Sequence, residues 1–176
     1  MKFGDYLRKG IEIAQLKKDA IQIVAGDKEA LGPALGILAI GGVCAAIGAL
    51  SLLGLIVMPI AMVVGMFIVV AIMHFVATSF MGAKGGQFSA LFAPLSCATI
   101  ITWIGIICII PFLGRLLAFI AGLWLLVICV IIVETVYQID RAKAIIVVAV
   151  PVVALGIIVS VVAFFMGLSA PALMGR

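Results

Sequence analysis

Glu134 is the residue whose type and setting most strongly suggest chemistry. It follows an uncharged apolar stretch, residues 116–133, and a carboxylate at membrane depth is costly unless it is paired or hydrated. At helical spacing, Glu134, Gln138 and Arg141 share one face. Two interpretations follow: Glu134 anchors a helix end among hydrated headgroups beside Arg141, or it is a proton- or ion-binding carboxylate facing a cavity.

His74 is the single histidine of the chain, and its predicted depth is similar to that of Glu134 or somewhat greater. Thr78 follows it at i+4 on the same helical face. One interpretation is a histidine that is hydrogen-bonded within a helix bundle. The other is a direct or water-mediated contact between His74 and Glu134, which would form a titratable pair.

Hydroxyl side chains recur along a further apolar segment. They either bond neighbouring helices and their own helix carbonyls or line a substrate path. The hydroxyl residues of this segment are Ser89, Ser96, Thr99 and Thr102. The candidate intramembrane polar site predicted from the sequence consists of His74, Glu134, Thr78, Ser96 and Thr99.

Motifs of common enzyme classes are absent from the sequence, which contains no G-x-S-x-G, H-E-x-x-H or P-loop pattern. Beyond Glu29 the only carboxylate side chains are Glu134 and Asp140. Because Asp140 belongs to a polar loop, only one of them is available to an acid–base site within a membrane. The four cysteines are dispersed along the chain and there is one histidine, so the sequence offers few ligands for a transition-metal ion. We therefore expect no enzymatic activity, no cofactor and no bound metal.

Long uncharged segments define the elements that must position these side chains. Residues 30–83 carry no formal charge, and because one span needs about 20 apolar residues, they suffice for two. A composition that is 67% hydrophobic and 10% charged argues against a soluble core, and the runs lack the alternation of a membrane barrel. The sequence predicts an all-α integral membrane protein with five transmembrane helices, at about 31–53, 59–81, 89–110, 116–136 and 144–165. We expect Gly54 and Pro59 to mark the turn between the first two transmembrane helices.

Residues 1–28 are predicted to form a cytoplasmic amphipathic helix ahead of a membrane domain, 29–176. An apolar face runs through Phe3, Leu7, Ala14 and Ile21, although Leu16 falls on the polar side. This helix either lies in the membrane interface or on a partner, or it covers the cytoplasmic ends of the spans.

The basic residues predict the orientation. With a cytoplasmic N-terminus, nine of the 11 Lys and Arg residues are cytoplasmic and only Arg115 and Arg176 are external. The positive-inside rule therefore predicts a cytoplasmic N-terminus and an external C-terminus. The same asymmetry explains the net charge of +4 without a nucleic-acid partner. The candidate cytoplasmic loop surface consists of Lys84, Gly85, Gly86, Arg141 and Lys143.

Small residues four apart allow helices to approach closely. Three such pairs occur in the sequence, and they are consistent both with packing within the bundle and with dimerisation. The pairs are Gly32-x-x-x-Gly36, Gly42-x-x-x-Ala46 and Ala118-x-x-x-Gly122.

The segment from His74 to Ser89, with Met81-Gly82-Ala83-Lys84-Gly85-Gly86-Gln87-Phe88 at its centre and Pro94 soon after, resembles the inter-span signature of the YIP (Ypt/Rab-interacting protein) domain family. Asp27 with Leu31-Gly32-Pro33, Trp124 and Arg141-Ala142-Lys143-Ala144 also fit that family. The resemblance covers about residues 27–167. It implies five spans, a cytoplasmic N-terminus and an external C-terminus.

The same resemblance bears on function and location. Eukaryotic members of the family bind Rab-type GTPases in early secretory membranes and associate with each other. With only residues 1–28 ahead of the predicted membrane domain, we expect the chain to be similar to the compact bacterial and archaeal members, which have no Rab partners. We expect a multi-pass protein of the cell membrane, or of an endomembrane if the source is eukaryotic.

Two functions remain open from the sequence. The first is a non-enzymatic scaffold or adaptor that binds partner proteins or lipid and helps to organise or shape the membrane. The second is a small channel or transporter with a cytoplasm-facing polar cavity. The expected partners are the lipid bilayer and either further copies of the chain or other membrane proteins, with no nucleic acid.

Overall fold

The computed structural model describes residues 1–83, 86–110 and 112–174, and the side chains within these ranges other than those of residues 105, 108, 159 and 162–174. The described part is helical and contains no strand. The helices, in chain order, are α1 (Phe3–Ala14), α2 (Lys18–Gly26), α3 (Leu31–Gly48), α4 (Gly54–Ser79), α5 (Phe88–Ala98), a 3-10 helix (Thr99–Ile109), α6 (Leu113–Tyr137) and α7 (Arg141–Met174).

Four of the helices are long and apolar enough to cross a membrane. They are α3, α4, α6 and the Arg141–Ile158 part of α7. Large apolar side chains lie on their outer surfaces, for example Ile56 at 68% and Phe119 at 65% exposure. Such surfaces are stable in hydrocarbon and unfavourable in water. The all-α membrane architecture predicted from the sequence is therefore confirmed.

The third predicted span is built differently from the others. It consists of α5 followed by the 3-10 helix, and its apolar α-helical part is shorter than the four long helices. Pro94 lacks an amide hydrogen inside α5. Beyond it, the Thr99 and Thr102 hydroxyls each donate 2.6 Å bonds to the carbonyl three residues earlier, which competes with regular α-helical bonding. Both α5 and the 3-10 helix contain 11 residues. With a rise of about 1.5 Å per residue in the α-helix and about 2.0 Å in the 3-10 helix, their combined length is about 38 Å when they are aligned.

The first two spans meet in a turn that begins earlier than the sequence suggests. Helix α3 ends at Gly48, Leu50 has a positive φ of 52°, and α4 begins at Gly54. The Gly54 amide donates a 3.0 Å bond to the Ser51 hydroxyl, which closes this turn. Pro59, predicted to lie in the turn, is instead inside α4.

The N-terminal segment forms two helices rather than the single helix expected. The break is at Leu16, whose φ is 63°, and Leu16 then packs against the core. Leu16 fell on the polar side of one continuous helical wheel, and the break at this residue allows its side chain to reach the core. Tyr6 and Ile13 of α1 and Ile21 of α2 are all 0% exposed.

The two N-terminal helices pack on one half of the bundle. Helix α1 lies against α5 and the 3-10 helix, and α2 lies against α5 and α6. Most of the largest buried side chains, such as Phe92 and Ile132, belong to α1, α2, α5 and α6, and the others are on α3 and α4. We call the end where α2, the start of α5, the end of α6 and the start of α7 meet the polar end, and the end with the α3–α4 turn the far end.

Candidate functional site at the polar end

Glu134 lies one turn before the end of α6 and is held by two cations. Its Oε1 accepts a 2.7 Å bond from Lys18 Nζ, and its Oε2 accepts a 3.0 Å bond from Arg141 Nε. The sequence placed Glu134, Gln138 and Arg141 on one face of a single helix, but α6 ends at Tyr137 and α7 begins at Arg141. The pair therefore meets across the turn at Gln138, whose φ is 51°. The Lys18 contact joins residues 116 positions apart, so no local pattern could reveal it. With both oxygens engaged by basic side chains, this arrangement favours the anchoring interpretation of Glu134.

His74 contacts Tyr137 rather than Glu134. The His74 Nδ1 and Tyr137 hydroxyl atoms are 2.6 Å apart and share a hydrogen bond whose direction depends on the histidine tautomer. Of the two interpretations of His74, the structure shows the hydrogen bond within the bundle, and its partner Tyr137 lies one turn beyond Glu134 along α6. Tyr137 is a member of the site that the sequence reasoning missed, although its i+3 spacing from Glu134 is a signal that could have found it.

Gly86 is the loop residue on which Tyr137 rests. A Cβ atom added to Gly86 would overlap the Tyr137 ring at Cε1 and Cδ1, and Tyr137 is only 3% exposed. Glycine thus lets the loop backbone pass directly against the ring. Lys84 and Gly85, the other residues predicted for this loop surface, lie outside the described residues. Lys143 lies exposed on the first turn of α7.

The predicted hydroxyl residues do not gather around His74 and Glu134. Thr78 donates a 2.8 Å bond to the His74 carbonyl, and Thr99 donates one to the Ser96 carbonyl. Ser96 is fully buried, and its hydroxyl has no hydrogen-bond partner within the described structure. Own-helix bonding satisfies Thr78 and Thr99 without creating a shared polar chamber. Across the residues that the structure describes, no three His, Cys, Asp or Glu side chains form a group able to hold a metal ion.

A partly buried hydrogen bond between Tyr6 and Asp27 connects the two ends of the N-terminal segment. The Tyr6 hydroxyl donates a 2.6 Å bond to Asp27 Oδ2, and the Glu29 amide donates a 2.9 Å bond to Asp27 Oδ1. Burial and then the Asp27 carboxylate raise the pKa of Tyr6 to about 12. The hydrogen bonds from Tyr6 and Glu29 lower the pKa of Asp27 below its ordinary value of 3.8. The hydrogen bond therefore joins a neutral phenol to an ionised carboxylate across the neutral range.

Alkaline pH should weaken this hydrogen bond. The pKa of Tyr6 is 10.0 in an unfolded chain and about 12 in the fold, so its contribution to stability is complete below pH 10 and is lost as pH rises through 12. We expect the melting temperature of the detergent-solubilised protein to fall more steeply over this range than that of Tyr6→Phe. Tyr6→Phe retains every other titratable group of the chain, so the difference isolates Tyr6. Parallel melting curves for the two proteins would contradict the prediction.

An open cleft of about 590 Å³ lies beside these residues at the polar end. Its walls come from α2, from the start of α5 with the preceding residues, and from the end of α6. Several of its side chains are polar and exposed, whereas His74, Glu134, Thr78, Ser96 and Thr99 are not part of its lining. Its polar lining includes Gln22, Asp27, Lys28, Gln87, Ser89, Thr135 and Gln138.

The helices and the charged groups together define a class of protein: a multi-pass helical membrane protein whose paired charges gather at one end of the bundle. The family model of the Yip1 domain matches residues 18–164. The chain therefore belongs to the Yip1 domain family, as the resemblance to the YIP signature indicated. No curated protein and no solved structure matches the chain.

Proposed function

We propose that this protein is a non-enzymatic membrane scaffold that binds a partner protein at the polar end of its bundle. The observation that carries the proposal is the open polar cleft of about 590 Å³, whose walls come from three separate parts of the chain. A surface built in this way can present several hydrogen-bonding groups to one partner. Membership of the Yip1 domain family supports the membrane setting of the proposal.

The bonding of the other polar groups supports a binding role over a catalytic one. Glu134 is engaged by Lys18 and Arg141, and the threonine hydroxyls bond carbonyls of their own segments. Exposed Gln22, Lys28 and Gln138 at the cleft have side chains that make no hydrogen bond within the described part of the chain. These side chains are the groups available to a partner.

The proposal includes the orientation of the chain. All five predicted spans cross the membrane, α5 with its 3-10 helix forming the third, and the polar end faces the cytoplasm. The cytoplasmic assignment depends on the basic residues of α1 and α2 and on Arg141 and Lys143, which the positive-inside rule places there. Arg176, assigned to the external side, lies outside the described residues.

Photo-cross-linking in native membranes tests the scaffold proposal. A photoreactive amino acid at Gln22 or at Gln138 should label the same partner, because the two residues line one cleft from different helices. The same probe at Leu52, which is 86% exposed in the turn at the far end, is the matched control and should not label that partner. Mass spectrometry of the adducts identifies the partner as another protein or as a second copy of this chain. Absence of an adduct from both cleft positions, or an identical set from all three, would contradict the proposal.

A small channel or transporter is the second candidate, and the change from α-helix to 3-10 helix at Thr99 favours it. Interrupted helices of this kind occur in transporters where backbone groups line a path. Ser96, whose hydroxyl is buried and unpaired, lies one turn before this change. Flux of protons or alkali cations into proteoliposomes that contain the protein, reduced in Glu134→Gln, would favour this candidate over the scaffold.

A further inference from the structure

A second cleft, of about 620 Å³, opens at the far end of the bundle. It lies between the end of α3, the 3-10 helix and the start of α6. Its α3 and α6 walls carry small residues such as Gly48, Ala118 and Gly122, and a Cβ atom added to Gly122 would meet nothing within 4 Å. The small-residue pair Ala118 and Gly122 therefore borders open space rather than a packed helix.

Among the described residues that line this cleft, Arg115 is the one that carries a charge. The sequence contains no acidic residue between Glu29 and Glu134, and Glu134 lies about 28 Å further along α6, at about 1.5 Å per residue. Within the described structure, Arg115 forms no salt bridge, whereas Arg141 pairs with Glu134. An arginine near a span end sits at the depth of lipid headgroups, so Arg115 offers there a positive charge that is not engaged in an ion pair within the described structure.

An apolar cavity of about 300 Å³ adjoins the cleft and extends to the middle of the bundle. Thr102 lines both spaces, and its hydroxyl is already bonded to the Thr99 carbonyl. Met62 and Met66 of α4 form part of the cavity wall, and methionine side chains adapt readily to a flexible apolar ligand. A cavity so lined does not hold water.

We propose that these two adjoining spaces bind one anionic glycerophospholipid, with its phosphate at Arg115 and an acyl chain in the apolar cavity. Charge complementarity selects the head group, because the lining supplies a cation and no anion. The apolar cavity selects a ligand with a hydrocarbon chain, since an inorganic anion would leave it empty. This site is at the opposite end of the bundle from the proposed partner cleft, and the inference does not depend on the scaffold proposal.

Lipid binding to the purified full-length protein tests the inference. Native mass spectrometry after titration with phosphatidylglycerol or phosphatidylcholine measures the affinity for each lipid. Phosphatidylcholine also has a phosphate, but its choline cation offsets that charge, so Arg115 should favour phosphatidylglycerol. Arg115→Gln should reduce the affinity for phosphatidylglycerol by about tenfold, the value of one charge-assisted hydrogen bond, and should thereby remove the preference. Lys143→Gln removes a cation at the polar end and should leave the preference unchanged.

A second variant pair tests the acyl-chain cavity. Gly65 lines it, and a Cβ atom added there would meet nothing within 4 Å, so Gly65→Leu should fill the cavity and weaken binding of both lipids. Gly156 of α7 is also open around its Cβ position but belongs to neither space, and Gly156→Leu should bind both lipids as the unmodified protein does.

The unmodified protein alone can overturn the inference. Equal affinity for phosphatidylglycerol and phosphatidylcholine would do so, as would displacement of bound lipid by millimolar inorganic phosphate, which would indicate a simple anion site. Unchanged lipid binding in folded Arg115→Gln and Gly65→Leu, with circular dichroism matching the unmodified protein, would have the same consequence.

Discussion

Replacing Gly10 by alanine should release α1 from the bundle. A Cβ atom at this position would lie 2.6 Å from the Cys97 carbonyl oxygen and 3.3 Å from its carbon. Both are backbone atoms of α5, so no side-chain rotation relieves the overlap. Overpacking of this kind costs about 1–3 kcal/mol, and the gain in helix propensity from glycine to alanine, about 1 kcal/mol, offsets only part of it.

The release should be visible in the exchange of backbone hydrogens. Tyr6 and Ile13 on the docked face of α1 are both 0% exposed, and Trp124 donates a 2.9 Å bond to the Ala14 carbonyl at the end of α1. Loss of docking removes these contacts together. We expect amide exchange across residues 3–14 to accelerate by about tenfold relative to the unmodified protein, measured by mass spectrometry in detergent micelles.

Gly4 provides the matched control, because it belongs to the same helix and a Cβ atom there would meet nothing within 4 Å. Gly4→Ala should leave exchange across α1 unchanged or slow it slightly, since alanine favours helix. Equal exchange in Gly10→Ala and Gly4→Ala would mean that α1 does not depend on the approach to Cys97. Helix α1 packs against α2, which carries Gln22 and forms one wall of the cleft at the polar end. Release of α1 should therefore also weaken the photo-cross-linking of a partner from position 22.

The membrane fold could be predicted because it depends on segment-level properties. Each long apolar stretch is far more favourable as a helix in lipid than in any other state, so α3, α4, α6 and α7 appear where the uncharged runs are. The residues at which the helices begin and end were less predictable. Pro59 was expected to mark a turn, yet it lies inside α4, because the turn is closed by Leu50 and by the Ser51 hydroxyl.

The site could be predicted only where its contacts are local. Glu134 and Arg141 are seven residues apart, so the sequence could suggest their pairing, although it placed them on one helix and they lie on two that adjoin. Lys18 reaches Glu134, and Tyr6 reaches Asp27, only because Leu16 reverses the backbone between α1 and α2. A positive φ at a leucine has no signal in composition or periodicity, so these partners were beyond the sequence.

Gly42→Ala should destabilise the whole bundle through the contact between α3 and α4. A Cβ atom at Gly42 would overlap the Pro59 backbone and would lie 2.9 Å from the Met58 carbonyl carbon. Proline has no amide hydrogen to project toward α3, and glycine opposite it allows the two helix backbones to touch. Ala46, one turn further along α3, is 0% exposed. The cost of overpacking, about 1–3 kcal/mol, should appear as a lower midpoint of unfolding in sodium dodecyl sulfate.

The same measurement decides between the two roles left open for the Gly42-x-x-x-Ala46 pair. If Gly42 packs within one molecule, the loss of stability in Gly42→Ala should not change when the protein is diluted in detergent. If the pair belongs to a dimer interface, the loss should depend on protein concentration. Gly65→Ala is the control, since Gly65 is on α4 and a Cβ atom there would meet nothing within 4 Å; its midpoint should equal or slightly exceed that of the unmodified protein. The contact of Gly42 with Pro59 leaves no room for a second copy at this face, so we expect the concentration-independent result.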